Sequence, residues 1–118
     1  MKIEHLTVDT FREKITDDRS DSNMKFIGKN PAIIEFYANW CPPCKVMEPI
    51  LEELAEKYKE KIDIYKVNVD EQQELALAFM IMNIPTLILL SDKTEIQNVI
   101  GGQSKESLEL YIQRLIGD

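Results

Sequence analysis

Cysteine and histidine are the scarcest chemistry-bearing residues of this chain: two Cys and one His, His5, among 118 positions. A structural zinc site takes about four ligands, so one chain cannot build it from these. An iron–sulfur cluster held by four thiolates would need two chains. Two cysteines are also too few for a disulfide scaffold, and a chain of this length buries an ordinary core without one. No apolar run approaches the roughly 20 residues that span a bilayer. The start, Met1-Lys2-Ile3-Glu4-His5, is too polar for the apolar region of an export signal. Net basic charge is lacking too. Fourteen Lys and Arg against twenty-one Asp and Glu leave −7, a surface that repels phosphate backbones and anionic lipid, so neither nucleic acid nor membrane is an expected partner. The expectation is a cytoplasmic protein of one domain over residues 1–118.

What the chain does have is regular alternation of strand and helix patterns. Ile3 to Leu6 fits a short strand, and Val8 to Ile15 a helix with Phe11 and Ile15 on one face. Asp17 to Asn23 is polar and reads as a loop, inside a long acidic connection from Thr16 to Asn30. Ala32 to Ala38 is almost continuously apolar, as in a strand covered on both faces. Pro43 to Lys59 carries Met47, Ile50, Leu51, Leu54 and Tyr58 at helical spacing, with Pro49 expected to kink it. Ile62 to Val69 alternates as a strand. Asp70 is the expected N-cap of a helix over Gln72 to Met82, with Gln73 in capping-box position and Leu75, Ala78, Phe79 and Met82 buried. Thr86 to Leu90 and Glu95 to Ile100 read as a hairpin around Ser91 to Thr94. Gly101-Gly102 breaks the chain, and Ser104 caps a last helix that buries Leu108, Tyr111, Leu115 and Ile116. The order β-α-β-α-β-α-β-β-α implies an α/β fold: a mixed sheet with a parallel core, an antiparallel edge and helices on both faces.

Cys41-Pro42-Pro43-Cys44 falls where the buried strand gives way to a helix. Thiol–disulfide exchange needs an exposed sulfur of lowered pKa and a second thiol to resolve the mixed disulfide. Free backbone N–H groups and the helix dipole favour an anionic sulfur at Cys41, and Cys44, one turn inside, is expected to be more covered. Cys41 is therefore the candidate nucleophile and Cys44 the resolving thiol. Pro42 and Pro43 suit the first helical turn, where a missing N–H matters least. The plainer alternatives are two inert core thiols or an incidental disulfide. His5 reads as a surface residue.

The segment Ala38-Asn39-Trp40-Cys41-Pro42-Pro43-Cys44-Lys45 resembles the active-site segment of the thioredoxin family, which usually reads Trp-Cys-Gly-Pro-Cys-Lys. Ile84-Pro85-Thr86 resembles its cis-proline motif, and Ile33-Ile34-Glu35-Phe36-Tyr37 the strand leading to the active site. The likeness runs from about residue 31 to 117, and more loosely over the first strand and helix. It implies a thioredoxin fold, a central mixed five-stranded sheet flanked by four helices. It implies a dithiol reductase needing no cofactor beyond its own Cys41–Cys44 pair, acting as a monomer on disulfide-containing client proteins and regenerated by a reductase such as thioredoxin reductase. The same fold also serves thiol oxidases, disulfide isomerases and partner-binding modules.

By that resemblance Trp40 shields the cysteines and offers partners a flat surface, where the alternative is simple packing. Glu35 stands where the family usually has Asp, thought to accept the proton of the resolving cysteine. A carboxylate among apolar neighbours would have a raised pKa if buried, and would be an ordinary solvated group if not. Lys66 is its implied partner from the neighbouring strand, unless it points to water. Pro85 is implied to be cis and to expose backbone to a partner peptide, and Ile84 fits the reducing branch. Gly101 and Gly102 are turn glycines that would let a partner chain approach closely. Pro42 replaces the usual glycine, removing one N–H near the sulfurs and stiffening the turn, both of which favour a more reducing protein.

Overall fold

The computed structural model describes residues 3–16 and 25–117. The element order is β1 (Glu4–His5), α1 (Val8–Lys14), β2 (Ala32–Tyr37), α2 (Pro42–Lys57), β3 (Asp63–Asn68), α3 (Gln73–Ala78), β4 (Thr86–Leu90), β5 (Gln97–Ile100) and α4 (Lys105–Ile116). The expected loop over Asp17 to Asn23 lies outside the described residues.

The five strands form one sheet in the order β1-β3-β2-β4-β5. β3 runs parallel to both β1 and β2, while β4 is antiparallel to β2 and to β5. This is the mixed, helix-covered sheet implied by the pattern. β2 lies at its centre and every residue of it is buried, which explains the unbroken apolar run and makes Glu35 conspicuous.

Side chains alternate along β2, so its residues serve two cores. Ile33 joins Met47, Leu51 and Leu54 of α2 and Leu108 and Ile112 of α4 on one face. Ile34 and Phe36 join Leu75 of α3 on the other, with Val8 and Phe11 of α1 and Phe79 packed alongside. Ion pairs tie α2 to α4 at the rim, Lys57 to Glu109 at 2.7 Å and Lys105 to Glu53. In α4 it is Ile112, absent from the expected stripe, that is fully buried beside Leu108, while Tyr111, Leu115 and Ile116 are half-buried. Pro49 lies within α2.

Ser104 caps α4 as expected, its hydroxyl accepting from Ser107 N–H at 3.1 Å. Ser104→Ala should cost about 1 kcal/mol, read as a fall in the urea midpoint with unchanged slope.

The third helix departs from the expectation at both ends. Its N-cap is Gln72, without a side-chain hydrogen bond. The Asn68 side chain does the turning instead, accepting from the N–H groups of Asp70 and Glu71 at 2.9 and 3.2 Å, an Asx-type turn that competes with helix. At the other end Met80 takes φ 53°. Its N–H donates to Leu77 O at 3.0 Å, and Ile81 N–H donates to Ala76 O at 2.9 Å. That pair of bonds is a Schellman motif. The helix stops at Ala78, and Ala78 and Met82 are exposed rather than buried.

Candidate active site

The helix α2 begins directly beneath the C-terminal end of β2. Cys41 is its N-cap in extended conformation, and Pro42 and Pro43 fill the first two helical positions, where fixed φ suits the helix and no N–H is missed. Cys44 N–H donates to Cys41 Sγ at 3.3 Å. The sulfur thus occupies the place of a capping oxygen, at the positive end of a 16-residue helix. Cys41 and Cys44 are joined as a disulfide, with Cα atoms 5.3 Å apart. The structure is that of the oxidised protein.

Both cysteines are covered, Cys41 2% and Cys44 4% exposed. The expected contrast, an open Cys41 and a covered Cys44, is not found. In the disulfide form Cys41 lies in a small cluster with Cys44, Tyr37 and Ala38, onto which Val69 and Ile84 pack. Around this cluster lies an exposed rim of Trp40, Pro42 and Pro43. Trp40 is 66% exposed and is held by its indole N–H, which donates to Asp70 Oδ2 at 2.9 Å. Asp70, expected as a helix cap, instead orients the tryptophan.

The rim continues on the loop before β4 and the turn after β5. The Ile84–Pro85 peptide bond is cis, in agreement with the resemblance, and Ile84 is half-buried against the cysteines. Pro85 O accepts from Gly101 N–H at 2.8 Å. Gly101 has φ 94°, and a Cβ there would meet nothing within 4 Å. Its backbone conformation requires glycine, and the space beside it is open. A Cβ on Gly102 would reach Pro43 at 3.7 Å, which places this turn against the start of α2.

Behind the disulfide sits Glu35, 1% exposed. Alternation puts it on the α2 face of β2, between Ile33, in the cluster of Met47 and Leu51, and Tyr37, in the cluster of the cysteines. Neither carboxyl oxygen has a hydrogen-bond partner. Burial raises its pKa to about 7, against the pull of Lys66 and with a further push from Glu48. The alternative of a solvated carboxylate is thereby excluded.

Lys66 is Glu35's register partner on β3 and is itself buried, 6% exposed. Its ammonium does not bond to Glu35. It lies 3.8 Å from Glu48 Oε1 and 4.2 Å from the centre of the Tyr37 ring. The expected Glu35–Lys66 pair is therefore a through-space attraction, and the contact goes to Glu48. His5 is exposed, as expected, and its Nδ1 lies 3.1 Å from the Tyr37 hydroxyl. Glu48 had a signal in the sequence, since it follows Cys44 by one helical turn. Asp70, thirty positions from Trp40, had none. Among the described residues no cluster of three His, Cys, Asp or Glu could hold a metal ion, and no helix is long and apolar enough to cross a membrane.

Comparison with known proteins agrees with this geometry. The thioredoxin family model matches residues 2–114. Thioredoxin from Borreliella burgdorferi is 37% identical over 112 residues, covering 95% of this chain and 96% of its own. Thioredoxin from Staphylococcus haemolyticus is 43% identical over 95 residues, covering 80% and 88%. Thioredoxin from Alicyclobacillus acidocaldarius is 46% identical over 85 residues, covering 72% and 81%. With a Cys-x-x-Cys disulfide at a helix start, a cis-proline beside it and a mixed five-stranded sheet behind, the chain belongs to the thioredoxin family of thiol–disulfide oxidoreductases.

Proposed function

We propose that this protein is a reductant of protein disulfides, working as a single domain over residues 1–118, and that its residues divide the labour as follows. In the reduced protein Cys41 Sγ, stabilised as a thiolate by the Cys44 N–H and the α2 dipole, attacks one sulfur of a client disulfide. A Cys41–client bond forms and the client's other sulfur leaves as a thiolate. Glu35, ionised, takes the proton from Cys44. The Cys44 thiolate then attacks Cys41 Sγ, the second client sulfur leaves, and the Cys41–Cys44 disulfide results. Two electrons pass to the client, and a reductase must return them.

Trp40, Pro42, Pro43, Ile84, Pro85 and Gly101 are the proposed client surface, where the open space beside Gly101 would let an extended peptide approach. Lys66 is proposed to tune Glu35 by its charge. The partners are disulfide-bearing proteins and a regenerating reductase such as thioredoxin reductase, and we assign the protein to the cytoplasm as a monomer.

The observation that carries this reading is the sulfur of Cys41 standing as the cap of α2 with a buried, unpartnered carboxyl behind it. Direction of transfer is tested by equilibrating the protein with glutathione. A potential near −270 mV is expected, and one near −120 to −180 mV would identify an oxidant or isomerase instead.

A further inference from the structure

We propose that Glu48 is a positioning residue for the buried carboxyl: it holds the Lys66 ammonium on the solvent side, away from Glu35, and so leaves Glu35 without a bonded cation. The proposal rests on the reading that Glu35 exchanges the Cys44 proton, and says what keeps that carboxyl poised to do so.

Strand register brings Glu35 and Lys66 side by side on β2 and β3, both buried and both on the α2 face. A lysine of ordinary length beside a buried carboxylate should bond to it, because an unpaired buried charge is costly. Here the ammonium turns elsewhere. It sits 3.8 Å from Glu48 Oε1 and over the Tyr37 ring, while both Glu35 oxygens stay unbonded. The Glu48 side chain is half exposed and the Lys66 side chain nearly covered, 51% and 7%. They meet at a cavity of about 250 Å³ lined by Ile3, His5, Glu48, Glu52 and Lys66. An ammonium at the wall of this cavity, facing a half-exposed carboxylate, avoids the desolvation that a dry pair with Glu35 would demand.

The groups around Glu35 leave few other candidates for this role. β3 supplies Lys66, β1 supplies His5, whose ring is bonded to Tyr37, and β4 places only Leu87 opposite. α2 supplies the two cysteines, Glu48 and, one turn further along, Glu52. Glu48 acts in two ways of one sign. Its charge disfavours a second anion at Glu35, and it withholds the cation that would favour one. The upward push of Glu48 on the Glu35 pKa agrees with this.

The test is carboxyl ¹³C NMR of the oxidised protein, in which the cysteines do not titrate. Glu48→Gln should lower the Glu35 titration midpoint by about 0.5–1 pH unit. Glu52→Gln, the same charge change at the same cavity, should move it less than half as far. In a Lys66→Met background the Glu48→Gln shift should fall by at least half. An unmoved midpoint, an equal shift from Glu52→Gln, or a full shift without Lys66 would each overturn the proposal. Because this readout involves no client, it stands apart from the catalytic role of Glu35. That role fails separately if Glu35→Gln leaves the pH profile of the resolving step unchanged.

Discussion

Cys41→Ser is expected to reduce insulin disulfides no faster than the background reaction with dithiothreitol, a loss on the order of a thousandfold or more, the scale on which removal of a covalent nucleophile operates. Cys44→Ser should fail differently. Its Cys41 still attacks, and with no second sulfur to displace the client, the mixed disulfide accumulates and is seen as a covalent adduct by mass spectrometry. The asymmetry follows from the helix start. Cys41 Sγ receives the Cys44 N–H and caps α2, so its anion is stabilised, while Cys44 lies one turn inside with no such donor among those described. The coverage of both sulfurs in the disulfide does not oppose this, because attack begins from the reduced form. Iodoacetamide at pH 7 should accordingly modify position 41 of the reduced protein at least about tenfold faster than an unperturbed thiol. Equal rates at the two positions, or full activity in Cys41→Ser, would remove the proposed mechanism.

Much of this molecule was legible in the sequence because its pattern is set by strong local terms. The apolar run ending in Ala38, the helical spacing from Met47 to Tyr58 and the Ser104 cap each specify their element without outside help, and the element order then restricts the topology to a mixed sheet with helices on both faces. The misreadings have two causes, a side chain used by a distant or non-helical partner and a backbone turn that ends a helix early. Asp70 had the residue type of a cap, but Trp40 takes its carboxylate and Asn68 turns the chain. Met82 continued a helical stripe, but a Schellman turn at Met80, a position where glycine is usual, ends the helix earlier. Lys66 had two carboxylates in reach, and only the α2 rotation decides that Glu48 receives it. The site itself was visible as a string of residue types. Its charge arrangement was not, because pairing across α2, β2 and β3 depends on side-chain direction rather than on spacing.

Glu35→Leu is expected to make the oxidised protein more stable at pH 8 and slower as an oxidoreductase. The Glu35 carboxyl titrates near pH 7 in the folded chain against an ordinary value of 4.5. A raised acid binds its proton more tightly when folded, so folding is not penalised below about pH 4.5, is penalised increasingly between 4.5 and 7, and carries the full cost above 7. At about 1.4 kcal/mol per pH unit between the two values, that cost is about 3 kcal/mol. Leucine is close to glutamate in volume, and no hydrogen bond is lost, since neither oxygen makes one. Urea unfolding should therefore show a gain of about 2–3 kcal/mol at pH 8 that shrinks to below about 1 kcal/mol at pH 4.5. A gain independent of pH would mean that the carboxyl titrates in the folded chain where it does in the unfolded one, so that burial does not raise it. The same variant should release the client from the Cys41 adduct more slowly at neutral pH, with the inflection near pH 7 lost from the profile, because Cys44 then gives its proton to water rather than to a carboxylate held for it. Stability and turnover thus pull in opposite directions at one residue, the behaviour expected where a buried charge is kept for chemistry rather than for folding.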